Sequence, residues 1–167
     1  MSDAYREIMV KRTPQMKDYV IKGLMIFAAA LLTAAGVLFF PPLLLGTLIM
    51  IAVCYFVFPG FDLEYEYLYV NGELDIDKIM SKKKRKACAG YNMENLEMLA
   101  PTGSHALDEY QKNKSITRKD FTSMNPEVPS YTMVIMKEKG LEMVKLELDE
   151  AVLGDIRRIA PRKVSMI

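Results

Sequence analysis

From residue 23 to residue 61 the chain reads GLMIFAAALLTAAGVLFFPPLLLGTLIMIAVCYFVFPGF, 39 positions without Asp, Glu, Lys, Arg or His. One helix through this run would be nearly 60 Å long at about 1.5 Å per residue, against about 30 Å of bilayer hydrocarbon. The break falls at Pro41-Pro42, where two backbone donors are missing and the preceding residues are pushed out of helical geometry. In lipid the freed carbonyls would be costly, so this turn belongs at a membrane surface. The pattern predicts two spans, at about residues 19–40 and 43–58, with Pro59-Gly60 closing the second. A helix pair buried in a soluble core would keep a polar stripe, and neither segment has one. The run is also too long, and starts too late, for a cleaved signal peptide.

After residue 61 the apolar period changes from 3.6 to 2. Leu63, Tyr65, Tyr67 and Tyr69 alternate with Glu64 and Glu66, and Asn71-Gly72 is the preferred pair for a two-residue type I′ turn. With that turn, Tyr69 faces Leu74, Tyr67 faces Ile76 and Glu66 faces Asp77, giving an apolar face and an acidic face. Further strands are predicted at 84–91, 95–100, 116–122, 131–137 and 141–148. The alternation slips in the last of these, where Leu141 and Met143 give way to Val144, Leu146 and Leu148, as a β-bulge would produce. A helix follows, capped by Asp149, striped by Val152, Leu153, Ile156 and Ile159 and stopped by Pro161. Residues 106–112 are expected to form a short helix, and 125–129 a loop. Before the spans, Tyr5, Ile8 and Met9 fit one face of a short surface helix ahead of Pro14, and disorder fits the same residues equally well. The reading is α+β in three parts: an N-terminal cytoplasmic segment at 1–18, a transmembrane helical hairpin at 19–61 and a cytoplasmic domain at 62–167. That domain is an antiparallel barrel or sandwich of about seven strands with a C-terminal capping helix.

Charge orients this arrangement. Arg6, Lys11, Arg12 and Lys17 precede the first span, Lys22 is placed to snorkel at its edge, and Lys78 and the run from Lys82 follow the second. The turn between the spans has no basic residue, so both termini are expected in the cytoplasm of a plasma-membrane protein. The net charge of +1 gives no global pull toward nucleic acid. Cys54 and Cys88 are too few and too far apart for a disulfide framework or a paired metal motif. The 13 methionines are dispersed through apolar positions and read as packing. In the first span, Ala28 to Ala30 and Thr33 to Gly36 gather small residues at spacings such as Ala30–Ala34, which suit close packing against the second span or against a partner helix.

The strongest charge signal is Lys82, Lys83, Lys84, Arg85 and Lys86. It fits two roles. One is contact with anionic headgroups or a protein partner. The other is neutralisation of Asp75 and Asp77 on the neighbouring strand. No aromatic residues interleave with the run, so nucleic acid is not the expected partner. The carboxylates Glu64, Glu66, Glu73, Asp75 and Asp77 lack calcium-loop spacing, and no metal or other cofactor is expected. No catalytic residue is expected either. His105 is the single histidine, and Ser104 beside it is a sequence neighbour rather than a converging nucleophile. Cys88 reads as a thiol buried in a strand, and the chain has no HExxH, no CxxC and no phosphate-binding glycine loop.

YEYLYVNGELDIDKI at 65–79, FTSMNPE at 121–127 and IAPRKV at 159–164 resemble an uncharacterised family of small bacterial membrane proteins, which join a two-helix hairpin to a pleckstrin-homology-like (PH-like) domain. The resemblance implies that fold and a membrane location, with no assigned activity. The expectation is a non-enzymatic, membrane-anchored binding or scaffold protein that contacts a protein partner or anionic lipid. The alternative is a structural subunit of a homo-oligomer or larger membrane complex.

Overall fold

The structure is a computed structural model that describes residues 5–82 and 84–165. Its elements are β1 (Tyr5–Lys11), α1 (Met16–Leu38), α2 (Leu43–Val57), β2 (Leu63–Val70), β3 (Glu73–Met80), β4 (Lys84–Asn92), β5 (Leu96–Pro101), α3 (Asp108–Lys112), β6 (Thr117–Asp120), β7 (Tyr131–Lys137), β8 (Gly140–Leu146) and α4 (Glu150–Ile159). A 3-10 turn, Phe58–Phe61, extends α2. The strands form two four-stranded sheets, in the orders β1-β2-β3-β4 and β5-β7-β8-β6. No ladder joins the two sheets into a closed barrel among the described residues, so of the two expected architectures the sandwich is the one present.

The first sheet begins before the membrane hairpin. β1 pairs antiparallel with β2 from Tyr5↔Val70 to Lys11↔Glu64, although the whole hairpin lies between them in sequence. The expected surface helix or disordered segment is therefore a strand. Its inward residues are few: Val10 is buried opposite Tyr65, and Ile8 is half-buried opposite Tyr67. Two apolar residues two apart leave a weak β signal, while Tyr5 and Met9 face outward and gave the helical spacing by coincidence.

The Asn71-Gly72 turn fixes the register read from the sequence, with Tyr69↔Leu74, Tyr67↔Ile76 and Glu66↔Asp77. Both turn residues have positive φ, 48° and 89°. A Cβ on Gly72 would lie 2.9 Å from Ile159 Cδ1, so the position needs glycine for space as well as for conformation. Tyr65, Tyr67, Tyr69, Leu74 and Ile76 meet Leu96, Leu99, Met133, Ile135, Val144 and Leu146 of the second sheet, and Val152, Leu153 and Ile156 of α4 close the core. Each such side chain, fully buried, contributes about 1.5–3 kcal/mol. The tyrosine hydroxyls keep partners, as buried polar groups must. Tyr67 donates to the Phe121 carbonyl at 2.8 Å and Tyr69 to Asp155 at 2.6 Å. Burial holds both phenols well above their ordinary pKa.

Two expectations about the second sheet are corrected. β8 has no bulge against β7, since the register runs unbroken from Tyr131↔Leu146 to Lys137↔Gly140. The strand buries both faces instead: Val144 and Leu146 enter the main core, and Met143 enters a smaller cluster with Ala100, Leu107, Ile116 and Val134. Two-sided burial breaks alternation just as an inserted residue does. β6 is also parallel to β8 rather than antiparallel, because the chain from β5 crosses over through α3 before it pairs. Asp149 caps α4 as expected, its Oδ1 accepting from the Val152 amide at 2.7 Å.

Met16–Leu38 and Leu43–Phe61 are both long and apolar enough to cross a membrane, and only 6% of each hydrophobic window is buried. A soluble core helix would be mostly covered; here Leu24, Phe27, Leu31, Leu48 and Ile49 all face outward. Pro41-Pro42 makes the turn, with Leu44 and Leu45 amides donating to the two proline carbonyls at 3.0 and 3.1 Å. The helices approach closely at Gly36, where a Cβ would lie 2.8 Å from Leu44 Cδ2. Ala30 and Ala34 are exposed, whereas Gly36 is buried and Ala28, Ala29 and Ala35 are half-buried.

Because the Arg12 amide donates to the Leu63 carbonyl at 2.9 Å, the hairpin can be excised without parting β1 from β2. Replacing residues 14–61 by a short Gly-rich turn is expected to give a water-soluble domain with a cooperative thermal transition. A chain starting at residue 62 loses Val10 and part of the Ile8 burial, and is expected to be less stable by on the order of 3 kcal/mol. Equal melting of the two by circular dichroism would contradict the role given to β1.

Candidate functional site: the basic end of the first sheet

The run from Lys82 lies where the sheet meets the hairpin. β1 ends at Lys11 and passes through residues 12–15 into α1, and β2 starts directly after the 3-10 turn that ends α2. The Ser81 amide donates to the Asp62 carbonyl at 2.9 Å, which holds the β3–β4 turn at this same end. Lys22, on the first turns of α1, stands over the Phe61 ring at 5.1 Å from its centroid. Lys82, with φ of 56°, occupies the turn itself. Lys83 lies outside the described residues.

Strand geometry divides the rest of the run between two faces. Arg85 is opposite Ile79 and points to the outer, acidic side of the sheet. Its Nε donates to Asp77 Oδ2 at 2.5 Å, and its Nη2 lies 2.5 Å from Glu66 Oε2, an ion-pair contact without hydrogen-bond alignment. The hydrogen bond to Asp77 holds the guanidinium above its ordinary pKa. Lys84 and Lys86 project the other way, opposite Met80 and Lys78. A bulge opposite Ile76/Asp77 then shifts the parity, so that Tyr91 turns into the core while Arg85 stays outside. Among the described residues, Arg85 thus pairs with Asp77 and Glu66, while Lys84 and Lys86 form no ion pair with Asp75 or Asp77.

The lysine face has a feature that the sequence did not announce. Lys78 is directly opposite Lys86, and like charges so paired destabilise a sheet. Among the described residues none of Lys78, Lys82, Lys84 and Lys86 forms an ion pair. Four ammonium groups therefore gather at the hairpin end of β3 and β4 with no ion-pairing acid among the described residues. Lys78 was visible in the sequence only as an isolated base; the β3–β4 register is what brings it into the group.

A second element at this end also escaped the sequence reading. The loop at residues 121–125 is held from below by Glu147, whose Oε1 accepts from both the Ser123 amide and hydroxyl at 2.7 Å. From above it grips the linker into α1: the Thr13 amide donates to the Ser123 carbonyl at 2.7 Å, and Gln15 Nε2 donates to Met124 Sδ at 2.9 Å. Phe121, Thr122 and Ser123 are buried, and Met124 takes a positive φ of 59°. Asp18 is buried as well and accepts from the Gln15 amide at 3.0 Å, capping α1. The domain is thereby fixed to the first membrane helix by the linker as well as by the sheet.

The other sequence candidates are scattered. His105 is fully exposed and pairs only with Asp108, its Nδ1 3.2 Å from Oδ2, while Ser104 Oγ accepts the Ala106 amide as a local cap. Cys88 is exposed at the bulge rather than buried, because the extra residue leaves the ladder and turns outward. No cluster of three His, Cys, Asp or Glu suited to a metal occurs among the described residues.

The acidic face is out of balance: Glu7, Glu66 and Asp77 share Arg85. Glu66 is only 8% exposed. Burial raises its carboxyl pKa most, Glu7 and Asp77 raise it further, and Arg85 opposes them. A raised folded-state pKa means that the folded chain binds more protons than the unfolded one, so stability rises as pH falls from neutrality into the ordinary carboxylate range. Glu66→Gln is expected to flatten this slope in thermal melts across that window. An unchanged slope would assign the pH dependence to other groups.

Comparison with known proteins agrees with this architecture. No curated protein and no solved structure is matched by the chain. A model of the family described as bacterial PH-like domain (DUF6106) matches residues 2–166, taking in β1, the hairpin, both sheets and α4. With the match spanning nearly the whole chain, the protein belongs to the bacterial PH-like domain family.

Proposed function

We propose that the protein is a non-enzymatic, multi-pass plasma-membrane anchor, whose PH-like domain binds anionic lipid headgroups through Lys78, Lys82, Lys84 and Lys86. The observation that carries this reading is the Lys78–Lys86 cross-strand pair at the hairpin end of the sheet, which has no ion-pairing acid among the described residues. Each lysine near an anionic surface contributes on the order of 1 kcal/mol, enough in sum to offset their mutual repulsion. Placement of both chain ends in the cytoplasm is supported by the β1–β2 ladder, which brackets the hairpin and keeps its two ends on one side, and by the base-free turn at Pro41-Pro42. PH-like domains are generally non-catalytic, and Ser104 and His105 are occupied in local contacts. A homo-oligomeric structural role has one feature in its favour, the outward-facing Ala30 and Ala34 of α1. Cross-linking in native membranes would then trap defined multimers.

The lipid reading is tested with the full chain in nanodiscs of zwitterionic or anionic lipid, by hydrogen exchange over residues 78–86. Anionic lipid is expected to slow exchange there, less so at high salt. The Lys78→Gln, Lys82→Gln, Lys84→Gln, Lys86→Gln combination should remove the difference. Identical exchange of the wild-type chain in the two lipids would overturn it.

A further inference from the structure

Among the described residues β4 ends the first sheet with β3 as its one neighbour, and it is the longest strand there at 9 residues. Its residues from 84 to 88 are all exposed. The other edges differ. That of β5 is covered by the chain's own C-terminal segment: the Leu99 amide donates to the Lys163 carbonyl and the Ser165 amide to the Leu99 carbonyl, both at 2.8 Å. β6 has only 4 residues, and β1, the other edge of the first sheet, is shorter than β4 at 7 residues. β4 carries no proline, and Ala87, Cys88, Ala89 and Gly90 leave its backbone approachable. The Gly90 carbonyl is taken by a side chain, the Lys137 ammonium, which also stands 4.8 Å from the Tyr91 ring centroid. Between the turn and the bulge at Cys88 the outward amides and carbonyls of β4 are a template for another strand, while its lysines and the bulge restrict what can pair there.

Charge selects what can add. Lys84, Arg85 and Lys86 lie along the edge, and Lys137 stands at its far end. A second copy in the same membrane is disfavoured. β4 starts at the hairpin end and runs away from it in every copy, so two β4 strands would meet in parallel, with their lysines against one another. The geometry points to an acidic, extended segment of a partner protein that adds to β4 as a fifth strand. Its backbone pairs with β4, its acidic side chains on one face meet Lys84 and Lys86, and at the far end it displaces Lys137 from Gly90 and pairs with it. This docking mode reads backbone as well as charge, and it shares Lys84 and Lys86 with the proposed headgroup contact, so the two ligands would compete for those side chains.

The test uses the full chain in zwitterionic nanodiscs, so that lipid charge does not compete, and a labelled synthetic peptide of alternating Glu and Val. Two controls accompany it: the same peptide N-methylated at alternate amides, and an alternating Lys-Val peptide. The acidic peptide is expected to bind by fluorescence anisotropy and to slow hydrogen exchange over residues 84–90. N-methylation or the switch to lysine should weaken binding by about tenfold or more. Lys84→Glu with Lys86→Glu should reverse the preference toward the Lys-Val peptide, a gain that misfolding cannot imitate. Absence of binding by the acidic peptide, or equal binding after N-methylation, would overturn strand addition.

Discussion

The pairing of β1 with β2 is the constraint on which the rest depends. Seven residue pairs, from Tyr5↔Val70 to Lys11↔Glu64, close a loop that contains both membrane helices. Loop-closure entropy grows only slowly with length, and here the loop is itself folded into an antiparallel pair whose ends return to one place. The sheet can therefore form around the hairpin at little extra cost. Once it forms, both ends of the hairpin are held at one end of the first sheet, and the domain has no long free linker between sheet and hairpin.

That rigidity is reinforced from the other sheet. Glu147, after β8, fixes Ser123; Ser123 and Met124 hold Thr13 and Gln15; Gln15 and Asp18 begin α1. A continuous set of hydrogen bonds thus runs from the second sheet to the first membrane helix. The consequence for function is orientational. The β3–β4 turn and its lysines sit at the hairpin end of the domain, while the Asn71-Gly72 turn, with Ile159 of α4 against it, lies at the opposite end.

Much of this was legible in the chain because the signals were local. The charge-free run broken by Pro41-Pro42 gave the hairpin, Asn71-Gly72 gave a register that holds pair by pair, and Asp149 with Pro161 bounded α4. What stayed hidden depended on distant partners. β1 has too little apolar content to declare itself without β2. β8 imitates a bulge because Met143 and Val144 fill two different clusters. The basic run looked like one patch, yet strand parity and the β4 bulge send Arg85 to Glu66 and Asp77 while Lys84 and Lys86 join Lys78. Residue type alone could not make that division, since it is set by which strand lies opposite.

The most direct test of the account is amide hydrogen exchange of residues 5–11 in the full chain, reconstituted in a bilayer. If β1 closes the first sheet around the hairpin, these amides are protected with the same denaturant dependence as those of β2, because they open with the sheet. Exchange at the rate of an unstructured segment, while β2 and β3 stay protected, would contradict it.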